Sequence, residues 1–112
     1  MGESEMSLEN ELEVFQRVVH FNALEKGFWD CENKAEKICL MHSELSEALE
    51  AVRHNDPGDD KCPDFSNEEI ELADCVIRIL DYCEHFGLRL GKAMIAKHEY
   101  NRTRPFKHGK KF

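Results

Sequence analysis

The sequence predicts an all-α domain, and three observations carry that prediction. Apolar residues recur at three- and four-residue steps in four separate stretches, the period of one helix face. Start and stop residues bracket those stretches: Ser7 and Ser66 stand where N-caps are needed, Gly27 and Gly87 just past two ends, and Pro105 beyond the last. No stretch sustains the apolar/polar alternation of a half-buried strand, and no Asn-Gly or Asp-Gly pair sits between β-branched runs. The expectation is a single domain over residues 1–112, a four-helix bundle-type fold completed by dimerisation.

The first helix begins after Ser7, with Glu9 and Glu11 in its first turn, where the helix dipole favours acids. Leu8, Leu12, Phe15, Val19 and Ala23 give it a narrow stripe suited to one packing seam. Lys26-Gly27 ends it, Phe28-Trp29 forms the connection, and Asp30 is placed to cap a second helix from about Cys31 to Arg53. There Ala35, Ile38, Met41, Leu45, Ala48, Leu49 and Val52 make a broad apolar arc, extended on one edge by Leu40 and Ala51. Glu44 falls inside the arc and Glu47 just past its edge, whereas Glu50 points to solvent. A carboxylate facing a core costs free energy unless its charge is compensated.

Residues 55–66, NDPGDDKCPDFS, are the clear interior loop. Ser66 and Glu69 then form a capping box that opens a third helix, running to about Phe86. Its apolar positions are Leu72, Ala73, Cys75, Val76, Ile77, Ile79, Leu80, Cys83 and Phe86, most of the circumference, which predicts a helix enclosed by neighbours. The remaining polar strip holds Glu71, Asp74, Arg78 and Asp81. A fourth helix, about Leu90 to Thr103, places Leu90, Ala93 and Met94 on one side with Lys97, Asn101 and Arg104. The tail beyond Pro105 is basic.

Lys+Arg of 15 against Asp+Glu of 23 leaves a net charge of −8, a surface that repels nucleic-acid backbones. The apolar runs are far too short for a membrane span, and the opening MGESEMSLENE lacks the regions of a signal peptide. The expectation is a cytoplasmic protein with neither nucleic-acid nor membrane partners. Five cysteines, Cys31, Cys39, Cys62, Cys75 and Cys83, show no C-x-x-C spacing. In a reducing compartment they read as free thiols, with Cys75 and Cys83 as small core residues on one helix face.

Chemistry concentrates in two acidic pairs, Glu44-Leu45-Ser46-Glu47 and Glu71-Leu72-Ala73-Asp74. Each places two carboxylates about one turn apart on one helical face. With 34% of the chain charged, such pairs also arise on solvated faces by chance, so position is what distinguishes these: Glu44 intrudes on one apolar arc, and Glu71 and Asp74 border another. Four hard oxygen ligands from two helices suit Mg²⁺, with Mn²⁺ as a substitute. Di-iron bundles use Glu-x-x-His pairs, and no histidine here follows a Glu by three residues.

The stretches KICLMHSELSEALEAVR, EIELADCVIRILDYC and KHEYNRTRPFKHGKKF together resemble the MazG-like members of the all-α nucleoside triphosphate pyrophosphohydrolase superfamily. The resemblance runs from about Gly27 to the C-terminus. The family motif Glu-Glu-x-x-Glu followed by Glu-x-x-Asp is present with Ser43 in place of the first Glu. The resemblance implies a helical bundle paired as a homodimer or a dimer of dimers, and Mg²⁺-dependent hydrolysis of a nucleoside triphosphate between the α and β phosphates. The products are a ribo- or deoxyribonucleoside monophosphate and pyrophosphate, a reaction suited to nucleotide-pool cleaning. It further implies Glu44, Glu47, Glu71 and Asp74 as metal ligands, with Glu47 taking the proton of the attacking water. A triphosphate carries about four negative charges, so an acidic pocket binds it only through bridging cations.

Lys97, Asn101 and Arg104 match the family's Lys-x-x-x-Asn-x-x-Arg pattern and are candidates to hold outer phosphates; the plainer reading pairs the two cations with surface acids. Trp29 is a candidate to stack on a nucleobase and, more simply, a core anchor beside Phe28. Two other functions stay open: an interaction or regulatory module of the same fold without turnover, which Ser43 permits, and a pyrophosphohydrolase acting on a phosphoribosyl intermediate.

Overall fold

The computed structural model describes residues 7–111, so residues 1–6 of the acidic opening lie outside the described residues. Four helices make the architecture: α1 (Leu8–Glu25), α2 (Lys34–Arg53), α3 (Asn67–His85) and α4 (Leu90–Arg102), with one 3-10 turn at Phe106–Gly109. Among the described residues there is no strand, and no helix is long and apolar enough to cross a membrane.

The helix boundaries follow the capping chemistry. The Ser7 hydroxyl accepts from the Asn10 N–H at 3.2 Å, and Ser66 and Glu69 complete both halves of a capping box. Such a cap contributes roughly 1 kcal/mol. Gly27 and Gly87 take φ of +83° and +67° just past α1 and α3, a conformation that costs an L side chain about 1 kcal/mol or more. The start of α2 differs from the expectation. Asn33, not Asp30, is its N-cap, accepting from the Glu36 N–H at 3.1 Å, so the helix begins at Lys34 and residues 31–33 extend the connection. Asp56 adds an unexpected cap from the interior loop. Its carboxylate accepts from the N–H groups of Asn67 at 2.7 Å and Glu68 at 2.8 Å, tying the loop to the start of α3. The Glu68 bond, with those from Asn67 and Gly58 and against a cost of burial, holds that carboxyl below its usual range.

Packing is layered around α3. Met41 meets Cys75 and Glu47 meets Glu71, so α2 and α3 run antiparallel. On the other side, Gln16 Nε2 donates to Glu84 at 3.0 Å and His20 pairs with Asp81 at 2.7 Å, so α1 and α3 are antiparallel too. α4 packs mainly on α1. Gly91 allows that crossing, because a Cβ there would stand 3.1 Å from the backbone oxygen of Glu9. The apolar core is small: Ala23, Trp29, Ala48, Cys75, Leu80 and Cys83 are buried. Cys75 and Cys83 thus take the core positions expected of them, and burial pushes the Cys83 thiol up.

The apolar faces are wider than the neighbours that cover them. On α2 the buried positions are Glu44 and Ala48, at one edge of the expected arc, whereas Ile38, Leu45, Leu49 and Val52 are 43–56% exposed. On α3 the expectation of enclosure fails within one chain: Leu72, Val76 and Ile77 are exposed. Leu8 and Phe15 of the α1 stripe are exposed as well, and the buried positions of α1 are Gln16 and Ala23. The radius of gyration, 16.9 Å, exceeds the roughly 13 Å of a compact domain this long.

Candidate metal centre

The antiparallel α2–α3 pair brings the two acidic motifs face to face. Carboxylate oxygens of Glu44, Glu47 and Glu71 lie within 4.8 Å of one another. Glu44 is 7% exposed, Glu71 is half-buried and Glu47 is exposed, so the set opens from the helix interface toward solvent. Asp74 is one turn along α3 from Glu71, outside the tightest group but within its electrostatic reach.

The charges in this cluster are set by three short-range effects. Hydrogen bonding to Glu44 pushes the Glu71 carboxyl up to about 8, aided by burial and by the hydrogen bond and charge of Glu47. Glu71 therefore holds a proton at neutral pH and shares it with its neighbours. For Glu44, burial works to raise the carboxyl, but the Glu71 hydrogen bond and the Arg78 guanidinium together hold it below its usual value. Burial and then the Glu44 charge raise Asp74, with Asp59 and Glu47 adding to this and Arg78 opposing it. The donor set fits a hard divalent cation: every donor is a carboxylate oxygen, and three of them lie within 4.8 Å of one another.

Arg78 completes the site from α3. Its Nε donates to Glu44 Oε1 at 3.0 Å. Sequence spacing placed it on one strip with Glu71 and Asp74, but which carboxylate it would meet depended on the register between α2 and α3. Asp59 is the other addition, delivered by the interior loop, where its own carboxylate accepts from the Lys61 and Cys62 N–H groups.

Beside the acids lies a cavity of about 260 Å³, whose lining includes Glu44, Asp74, Arg78, Lys37, Trp29 and Tyr82. Trp29 is anchored in its wall. The indole is 8% exposed, its Nε1 donates to Asp81 at 2.9 Å, and His85 stacks on it with centroids 3.7 Å apart. The Lys37 ammonium lies over the same ring system at 4.6 Å. That makes Trp29 the core anchor, while leaving it part of the cavity surface.

Lys97, Asn101 and Arg104 are not brought to the acids within one chain. α4 rests on α1, and no α4 residue lines this cavity. Lys97 and Arg104 flank the Tyr100 ring at 4.8 and 5.6 Å, and the buried Oδ1 of Asn101 has no hydrogen-bond partner among the described residues. The plainer reading of the two cations, pairing with surface acids, finds no such ion pair among the described residues either. Comparison with models of protein families, with curated proteins and with solved structures gives no match for this chain.

Proposed function

We propose that the chain is a Mg²⁺-dependent nucleoside triphosphate pyrophosphohydrolase that cleaves the α–β phosphoanhydride. The observation that carries this reading is the convergence of Glu44, Glu47 and Glu71, with Asp74 one turn on, beside a cavity whose wall includes Glu44, Asp74 and the aromatic side chains of Phe28, Trp29 and Tyr82. Paired carboxylates at a pocket rim suit a substrate whose own charge must be bridged by a divalent cation. The cavity is slightly below the roughly 300 Å³ lower end of ligand pockets, a size suited to a base and sugar with the phosphates directed at the acids. Mg²⁺, when bound, supplies counter-charge and polarises a phosphoryl oxygen.

The chain's own residues do the rest. Glu44, Glu71 and Asp74 would hold the cation, and Glu71 would have to give up its proton to do so. Glu47, the most exposed of the cluster, has the access to solvent that a proton acceptor for an attacking water needs. Ser43 stands outside this set: its hydroxyl donates to the Leu40 carbonyl, so it acts within the helix. Asn22, Tyr82 and the Trp29 edge of the cavity are available for base and sugar.

Assembly belongs to the same proposal. The exposed apolar face of α2 and α3, and an α4 that is exposed from Lys92 to Tyr100, leave surface that a second copy would remove from water. Pairing also offers the Lys97, Asn101 and Arg104 strip a phosphate to meet, at the cavity of the other copy. The test of the reading is incubation with Mg²⁺ and a panel of standard, deoxy and damaged nucleoside triphosphates, with phosphoribosyl compounds alongside, followed by chromatography. Monophosphate release that disappears in EDTA and in Glu44→Gln is expected; turnover that survives both changes would remove the acid cluster from the mechanism.

A further inference from the structure

Two cationic side chains, Lys37 and Arg78, belong to the cavity wall beside the acids. Lys37 is committed on two sides, with its ammonium donating to the Phe28 carbonyl and lying over Trp29. Arg78 is held at one point only, the Nε bond to Glu44, and no hydrogen bond ties its terminal amino groups to a described residue. Its side chain is 36% exposed while that of Glu44 is 9% exposed. The guanidinium can therefore leave by rotation of its own side chain, whereas the carboxylate is fixed in the interface. A guanidinium 3.0 Å from Glu44 Oε1 and a divalent cation on the same carboxylate repel each other, so each weakens the other's hold on Glu44.

A triphosphate in this cavity needs positive groups beyond the metal, and no α4 cation lines it. We propose that Arg78 has two positions: it holds Glu44 until a divalent cation takes that carboxylate, and then turns to bind the phosphate oxygens of the substrate. This rests on the metal-dependent triphosphate reading given above. Arg78 is thereby a competitor of the metal and a ligand of the substrate, so its removal has opposite effects on the two. A planar fork of donors suits phosphate oxygens, which is the reason for an arginine at this place. The exchange couples the sites: the cation frees Arg78 for phosphate, and phosphate keeps Arg78 from returning to Glu44.

The experiment measures Mn²⁺ binding by electron paramagnetic resonance and, separately, binding of inorganic tripolyphosphate in Mg²⁺ by calorimetry, a probe that needs no base. Arg78→Gln keeps an N–H donor for the buried Glu44 and loses the charge, and circular dichroism checks that it folds. The expected result is Mn²⁺ binding about three- to tenfold tighter than in the wild type, with tripolyphosphate binding about tenfold weaker. Arg78→Lys, which retains a charge without the fork, should restore part of the tripolyphosphate affinity. It carries the test if the Gln variant does not fold, with near wild-type Mn²⁺ binding and tripolyphosphate affinity a few-fold below it. A purely structural Arg78 would weaken both ligands in the Gln variant, and that result overturns the proposal. So does unchanged Mn²⁺ affinity, or tripolyphosphate affinity equal to the wild type in both variants. A wild type that takes up no Mn²⁺ would instead overturn the reading of the acid cluster itself, and Arg78's role with it.

Discussion

Glu71→Gln isolates the proton at the centre of the acid cluster. The wild-type carboxyl is pushed from an ordinary 4.5 up to about 8, first by its hydrogen bond to Glu44 and then by burial and Glu47. Between those two values the folded chain keeps a proton that the unfolded chain has released. Stability therefore falls as pH rises through this window, and the loss is complete above about 8. Taken at face value the rise corresponds to at most about 5 kcal/mol. Glu71 is only half-buried and Glu47 is exposed, so solvent screening reduces this to about 1–2 kcal/mol. An amide at position 71 keeps a donor for Glu44 and never ionises. Melting in EDTA at about pH 5 should then give nearly equal midpoints for wild type and variant, and at about pH 9 a variant about 4–8 °C more stable. Millimolar Mg²⁺ at the higher pH should recover the wild type and leave the variant almost unmoved, since only the wild type gains a third carboxylate ligand. Parallel pH curves for the two proteins, or an equal response to Mg²⁺, would refute the assignment of a shared proton and a cation to the same place.

Lys97→Ala and Arg104→Ala should each weaken triphosphate binding or turnover about tenfold while Mg²⁺ affinity stays near the wild-type value, if, as proposed, these residues meet the phosphates at the cavity of a second copy and not the cation. A loss of Mg²⁺ affinity matching that of Glu44→Gln would contradict the division. Light scattering should give about 26 kDa or its double for the 13.1 kDa chain, with a melting point that rises with protein concentration. Leu49→Glu with Val76→Glu, two charges on the exposed α2–α3 face, should yield monomers; a folded, active 13.1 kDa wild type at micromolar concentration would show that the chain needs no second copy.

The helices were legible because their signals are local. Ser7, Ser66 with Glu69, Gly27 and Gly87 act within a turn of their own positions, and all four perform as their residue types imply. Asp30 misled because Asn33, three residues on, is an equally good cap and wins by starting the helix where Glu36 can donate. Periodicity located the apolar arcs but not their neighbours. Which edge of the α2 arc meets α3 is a matter of packing, and the edge carrying Glu44 and Ala48 is the one that does, leaving Leu45, Leu49 and Val52 outside. The two acidic motifs were visible as spacings, and their convergence needed only antiparallel helices. The Arg78–Glu44 pair and the approach of Asp59 to Asp74 depend on interhelical register and on the path of a loop, neither of which a single strand of sequence encodes in a readable pattern. The same holds for Asp81, whose contacts with His20 and Trp29 convert a surface-looking acid into the polar clasp between α1 and α3.

Cleavage position is the most direct test of the central claim. Phosphorus-31 NMR of a nucleoside triphosphate turning over in Mg²⁺ distinguishes attack at the α phosphorus from attack at the γ. The account predicts pyrophosphate and nucleoside monophosphate resonances growing together, in equal amounts, with none in EDTA or in Asp74→Asn. Orthophosphate with nucleoside diphosphate, or no turnover of any triphosphate by a protein shown to bind Mn²⁺, would contradict it.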